Sequence, residues 1–210
     1  MTISKLWHDG SETDWKNALS SYYNNPYDKA LESRMEKLVP SDLEKMNVQE
    51  FYDFLYNEYF VWKYTAKNRL ATTRKSLSKY ETEGMNSLAK IQRRLVFAYE
   101  ENPDDTEELL EVARRIYGLG IAGASGLLSI LFPKHYGTLD QFLVYALLKV
   151  DNISEHKRLE SINPQNLTIK DGVLLEDILR RKAKELNGRF NTDEWTPRRI
   201  DMVLWAIERY

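Results

Sequence analysis

No stretch of the 210-residue chain alternates apolar and polar side chains with the period of two that a half-buried strand needs. Apolar residues recur at spacings of three and four instead, as at Trp15, Ala18, Leu19 and Tyr22, or at Leu109, Val112, Ala113 and Ile116. That spacing gathers them into one stripe of a helix, and a stripe is buried by packing it on another helix. A chain patterned this way closes as an all-α helical bundle. It reads as one all-α domain over 1–210, with N-terminal helices at 1–47 and a core at 48–210.

The breakers divide the chain into helices. Ser11 with Asp14 marks a first start, and Asn25-Pro26 a second, with proline at the first helical position. That second helix is expected to reach about Leu38 and to stop before Pro40, with Ser41 capping a short turn. A long aromatic helix follows from about Val48 to Tyr64, with Phe51, Phe54, Leu55, Glu58 and Trp62 near one face. Further helices are expected at about 67–82, 86–100 and 106–117, separated by Gly84 and by the turn Asn102-Pro103-Asp104-Asp105. Two short ones follow at about 121–132 and 139–150. Residues 151–168 read as irregular. A helix at about 170–187 would end at Gly188, and Thr196-Pro197 starts the last one.

Composition limits the chemistry. Apolar residues make up 42% and charged residues 30%, a composition that packs a core in water. There is no cysteine, so disulfides, thiolate catalysis and thiolate-bound clusters are excluded. His8, His135 and His156 are far apart and show no ligand spacing, so neither a metal site nor a cofactor is expected. No signal peptide and no membrane-length apolar run is visible, and the expected location is cytoplasmic. With 30 basic and 32 acidic residues the net charge is −2, which excludes a net-basic nucleic-acid binder but not a local basic surface.

Glycine is unevenly spent. Five of the nine glycines, Gly118, Gly120, Gly123, Gly126 and Gly137, fall in YGLGIAGASGLLSILFPKHYGTLD at 117–140. Gly118-Leu119-Gly120 separates two apolar helices by a turn short enough to require positive φ, which glycine supplies. Leu119 can drop between the helices, and Gly123 and Gly126 let them approach closely. The turn also exposes backbone N–H groups at a helix N-terminus, an anion site suited to phosphate. An ordinary αα-corner reads equally well from these residues alone. Thr138-Leu139-Asp140-Gln141 reads as a capping box, with Thr138 as N-cap and Gln141 reaching back.

The run from Val112 to Leu128 resembles a helix-hairpin-helix motif, spanning 106–132 with its two helices. With Asp140 beyond the next apolar helix, the layout is similar to the helix-hairpin-helix DNA glycosylase superfamily, in its endonuclease III and adenine-glycosylase branches. The resemblance implies a bundle of two lobes and a protein that binds the DNA backbone through Gly118, Leu119, Gly120, Ala122 and Gly123. It implies Asp140 as the catalytic carboxylate, stabilising an oxocarbenium-like sugar or activating water. Bifunctional members carry a lysine just after the hairpin; Ala122 stands there, so any activity should be monofunctional, hydrolytic excision of a damaged or modified base. The cysteines of the iron–sulfur branch are missing, and Gly123 stands where many members have threonine. The alternative is a non-catalytic DNA-binding or interaction module on the same scaffold.

The segment Trp62–Tyr80 adds six basic residues and no acidic one. Lys63, Lys67 and Arg74 are expected near one helical face, with Trp62, Tyr64 and Tyr80 interleaved, which suits a phosphate-lined groove. Lys134 and His135 lie in the loop before Asp140 and can reach phosphate. A solvated helix face and a plain loop account for the same residues.

Overall fold

A computed structural model describes residues 1–24 and 29–209, so the expected start at Asn25-Pro26 lies outside the described residues. Every regular element among them is helical, as the spacing requires. In chain order these are α1 Ile3–Asp9, α2 Glu12–Tyr23, α3 Lys29–Met35, α4 Pro40–Lys45, α5 Val48–Phe54, α6 Phe60–Lys63, α7 Lys67–Leu77 and α8 Lys79–Glu83. They continue with α9 Asn86–Glu101, α10 Thr106–Ala113, α11 Ile121–Leu131, α12 Gln141–Leu148, α13 His156–Glu160, α14 Ile169–Phe190 and α15 Pro197–Arg209. A π-helical turn, Leu55–Tyr59, joins α5 to α6.

The chain divides into two compact units. One is discontinuous and combines Met1–Tyr27 with Pro133–Tyr210; the other is Asp28–Phe132. The helices of 1–47 are therefore shared between them.

In the discontinuous unit α15 is the central helix, packed by α1, α2, α12 and α14. It buries Ile200, Met202, Val203, Leu204 and Ala206, which face several sides, as a helix surrounded by others must. Beside it Trp15 is fully buried between Trp7 and Trp195, at ring-centroid distances of 6.4 and 5.5 Å. Lys182 of α14 reaches this cluster. Its ammonium lies 4.7 Å from the Trp7 ring and donates to the Trp7 carbonyl and, at 2.8 Å, to Glu185. Its burial holds the amine below the usual lysine range.

In the continuous unit α9 packs on α4, α5 and α10, and α10 packs on α11. Its core includes Phe51, Leu55, Tyr59, Phe60, Leu95, Leu109 and Leu127. The π turn changes which aromatics face inward. One extra residue in the turn rotates the helix beyond it. Tyr59 and Phe60 are fully buried, while Glu58 and Trp62, expected on the inner face, are half-exposed.

Two other features differ from expectation. Gly188 lies inside α14, which continues to Phe190 and stops at Asn191 in the left-handed region, φ 52°. Asparagine tolerates that conformation and serves as the stop signal. Within 151–168 there is a short helix, α13, its Leu159 buried.

Candidate functional site

The hairpin belongs to the continuous unit. After α10 the chain tightens, with Ile116 N donating to Ala113 O at 3.1 Å and Leu119 N to Ile116 O at 3.0 Å. Gly118 then takes φ +93°. A Cβ there would lie 2.9 Å from Thr73 Cγ2 and 3.0 Å from the Thr73 carbonyl oxygen. Backbone conformation and contact with α7 thus both demand glycine. Gly120 is different from the expectation. It is the N-cap of α11 at φ −91°, ψ −173°, an extended conformation open to any residue, and a Cβ there would meet nothing within 4 Å. The sharp turn is the work of Gly118 alone.

Gly120 instead leaves the start of α11 uncovered. It makes no side-chain cap, and the first bond of the helix, Ala124 N to Gly120 O, is 2.8 Å. The N–H groups of Ile121, Ala122 and Gly123 therefore have no acceptor within the helix. Gly118 and Gly120 are exposed and Ala122 is half-exposed, whereas Leu119 and Gly123 are buried. A Cβ at Gly123 would lie 2.5 Å from the Tyr64 hydroxyl, and one at Gly126 would lie 2.8 Å from the Tyr59 hydroxyl. The small residues of α11 thus admit the aromatic segment 59–64, and the Tyr59 hydroxyl donates to the Gly123 carbonyl. Desolvation pushes the Tyr64 hydroxyl up to about 12, so it remains a proton donor.

Two tyrosines brace the turn. Tyr80 and Tyr117 stack at 4.4 Å, the Tyr80 hydroxyl donates to Arg115 O at 3.2 Å, and it accepts from Tyr117 N at 3.3 Å. The Lys79 ammonium lies 5.8 Å from the Tyr117 ring. The partners lie 37 residues apart in sequence, so no local pattern announces this clamp.

The basic segment does not form one helical face. Tyr64 leaves the helix at φ −116°, ψ 87°, so Lys63 ends α6 while Lys67 opens α7. The Lys63 chain lies along Gly126, and Arg74 donates from Nε to Tyr56 O at 3.0 Å with its guanidinium 4.4 Å from the Tyr56 ring. Lys67, Arg69, Lys75 and Lys79 are the exposed cations of this stretch.

Asp140 belongs to the discontinuous unit, in the loop 133–140. Lys134 is exposed and His135 half-exposed, with the His135 carbonyl accepting from Arg180 Nε at 3.0 Å. At Gly137 a Cβ would lie 2.5 Å from Leu179 Cδ1 and 3.0 Å from Pro197 O, so α14 and α15 close on the bare backbone. Gly137 N donates to the carboxyl group of Glu176, 3.1 and 3.2 Å from its two oxygens. Thr138 N donates to Asp201 Oδ2 at 3.0 Å, and the Arg198 guanidinium bridges Thr138 Oγ1 and Asp201 Oδ2 at 3.2 and 3.0 Å. Glu176 is fully buried, and desolvation pushes its carboxyl up to about 8, against the pull of Arg180 and of the Gly137 N–H.

This network moves the helix cap. Thr138, expected as N-cap, is buried against Arg198 and Asp201. The N-cap of α12 is Asp140 itself, whose Oδ1 accepts from Phe142 N at 2.9 Å and Leu143 N at 3.3 Å. The cap holds the half-exposed Asp140 carboxylate in one orientation.

Among the described residues no group of three or more His, Cys, Asp or Glu side chains is placed to hold a metal ion. Nor is any described helix long and apolar enough to cross a membrane. The fold defines an all-α protein. Comparison of the chain with protein-family models, with curated proteins and with solved structures gives no match.

Proposed function

We propose that the chain is a DNA-binding protein of the helix-hairpin-helix type, acting as a monofunctional DNA glycosylase on damaged or modified bases. The observation that carries this reading is the turn into α11. Gly118 at φ +93° reverses the chain, and exposed, side-chain-free Gly120 leaves the first amides of α11 to an incoming oxyanion. A phosphodiester oxygen fits such amides without any reading of sequence. Asp140, oriented by its cap, supplies the carboxylate that stabilises positive charge at the sugar as the N-glycosidic bond breaks. The base leaves with the bonding electron pair, water adds to the sugar carbon, and the proton that the water loses goes to the departing base. Ala122 offers no amine for a Schiff base, so the strand stays intact.

The test is incubation with duplexes carrying a panel of damaged or modified bases, followed by alkali. Breaks at the lesion with wild type but not with Asp140→Asn support the reading. No base release from any duplex sinks the catalytic part.

A second reading, a binding module without chemistry, is favoured by one observation. Asp140 Oδ1 already has two amide partners, so a structural role accounts for the residue. Duplex binding that weakens with salt and with Gly120→Asp, without base release, selects it.

A further inference from the structure

A row of aromatic rings lies across part of the discontinuous unit, outside its tryptophan core. Tyr23 and Tyr22 of α2, Trp205 of α15 and Phe142 of α12 follow one another edge to face. Their centroids are 5.7, 5.4 and 6.4 Å apart, and their interplanar angles are 88°, 71° and 76°. These rings are not sealed in as Trp15 is. Tyr23 is 43% exposed, and Tyr22, Phe142 and Trp205 are half-exposed. Ile200, Met202, Val203 and Leu204 of α15 are buried, whereas Trp205 remains partly outside.

Cations lie on the same row. The exposed Arg209 guanidinium is 4.9 Å from the Trp205 ring and 5.6 Å from the Phe142 ring. Arg198 is 5.8 Å from the Tyr22 ring and donates to its hydroxyl at 3.2 Å. The neighbouring carboxylates on α15 are neutralised: Asp201 by Arg198 at 3.0 Å, and Glu208 by Lys149 at 2.8 Å. The row ends at Phe142, whose N–H is held by Asp140.

We infer that this row is a stacking surface for unpaired nucleobases, with Arg209 supplying positive charge for the adjoining phosphate. Every base has a π face that stacks on an aromatic ring or a guanidinium, and a strand of unpaired bases brings its own negative charge. A planar base can take the place of the guanidinium on Trp205, because Arg209 is exposed in the last turn of α15 and its long side chain can swing aside. The inference uses residues of the discontinuous unit only and does not depend on the hairpin binding duplex DNA.

The test is titration of the full chain, at low salt, with a fluorescent oligothymidylate of about ten nucleotides and with an abasic strand of the same length. Wild type is expected to bind the thymidylate at least about fivefold more tightly than the abasic strand. The double variant Tyr23→Ser, Arg209→Ser should lose that preference, and Gly120→Asp should keep it. Arg209→Lys retains the charge without the planar group and should show an intermediate loss; both altered side chains are exposed, and a thermal melt checks the fold. Equal binding of the two strands by wild type overturns the stacking surface, as does an unchanged preference in the double variant. So does binding of proline-rich peptides at this row with none of the oligonucleotide. Loss of duplex binding in Gly120→Asp, with thymidylate binding intact, reports on the hairpin separately.

Discussion

The buried carboxyl of Glu176 holds the Gly137 N–H, with both of its oxygens within 3.2 Å of that nitrogen. This contact ties α14 to the loop that ends at Asp140, and it makes stability depend on pH. Burial raises the folded carboxyl from 4.5 to about 8, so between these values the folded chain binds more protons than the unfolded one. Stability is therefore greatest below about 4.5 as far as this group is concerned, falls as pH rises through the window, and levels off above 8. The Glu176 contribution amounts to on the order of 5 kcal/mol across that range. Glu176→Gln keeps an acceptor for Gly137 and removes the titration. Urea unfolding at several pH values between 5 and 9 should show a slope in wild type that is strongly reduced in the variant.

Gly118 and Gly120 are expected to respond differently to the same change. Gly118→Ala meets both a positive φ and the Thr73 backbone and should cost about 1–3 kcal/mol. Gly120→Ala meets neither; alanine is a poorer N-cap but stiffens the unfolded chain, so the net shift should stay below about 1 kcal/mol. Thermal melts of the two variants check this directly. A larger loss at Gly120 would contradict the extended cap.

Asp140 allows its structural and chemical roles to be separated. Asparagine caps a helix about as well as aspartate, so Asp140→Asn should leave the melting temperature nearly unchanged. Asp140→Ala loses the cap and should cost about 1 kcal/mol. Base release abolished by both variants, with the fold kept in the first, points to the charge.

Trp15 and Tyr59 report on the two cores independently. Trp15→Ala removes the fully buried ring between Trp7 and Trp195 and should cost about 3–5 kcal/mol. Tyr59→Phe leaves the ring but strips the donor from the buried Gly123 carbonyl, at a cost of about 1–3 kcal/mol. Denaturant titrations of both, read against wild type, provide the check.

Much of the fold is legible locally. Period, proline and cap residues announce α2, α9, α11 and α15, because those signals act within one or two turns. The π turn at Leu55–Tyr59 is not announced, since its extra residue is accommodated by the tertiary packing of Tyr59 and Phe60. Asp140 is visible as a carboxylate at a helix start. Its role as the N-cap is not, because Thr138 looks like the better cap until Arg198 and Asp201, some sixty residues later, take it. Gly118 is legible from the turn it permits. Tyr80, which braces that turn through Arg115 and Tyr117, is hidden by distance along the chain.

The discontinuous unit sets an order of events on the ribosome. Helices α1 and α2 are made before the rest of their unit, yet Trp195 and Lys182, which pack on Trp15 and Trp7, belong to 133–210. The whole of 28–132 is synthesised in between, which takes on the order of ten seconds. During that interval, and until 133–210 follows, the tryptophans of the N-terminal helices lack the cover that this segment provides, whereas the continuous unit has every residue of its own core as soon as Phe132 is made. The nascent chain thus carries uncovered tryptophan early, and the cover arrives only when α14 and the segment around Trp195 emerge.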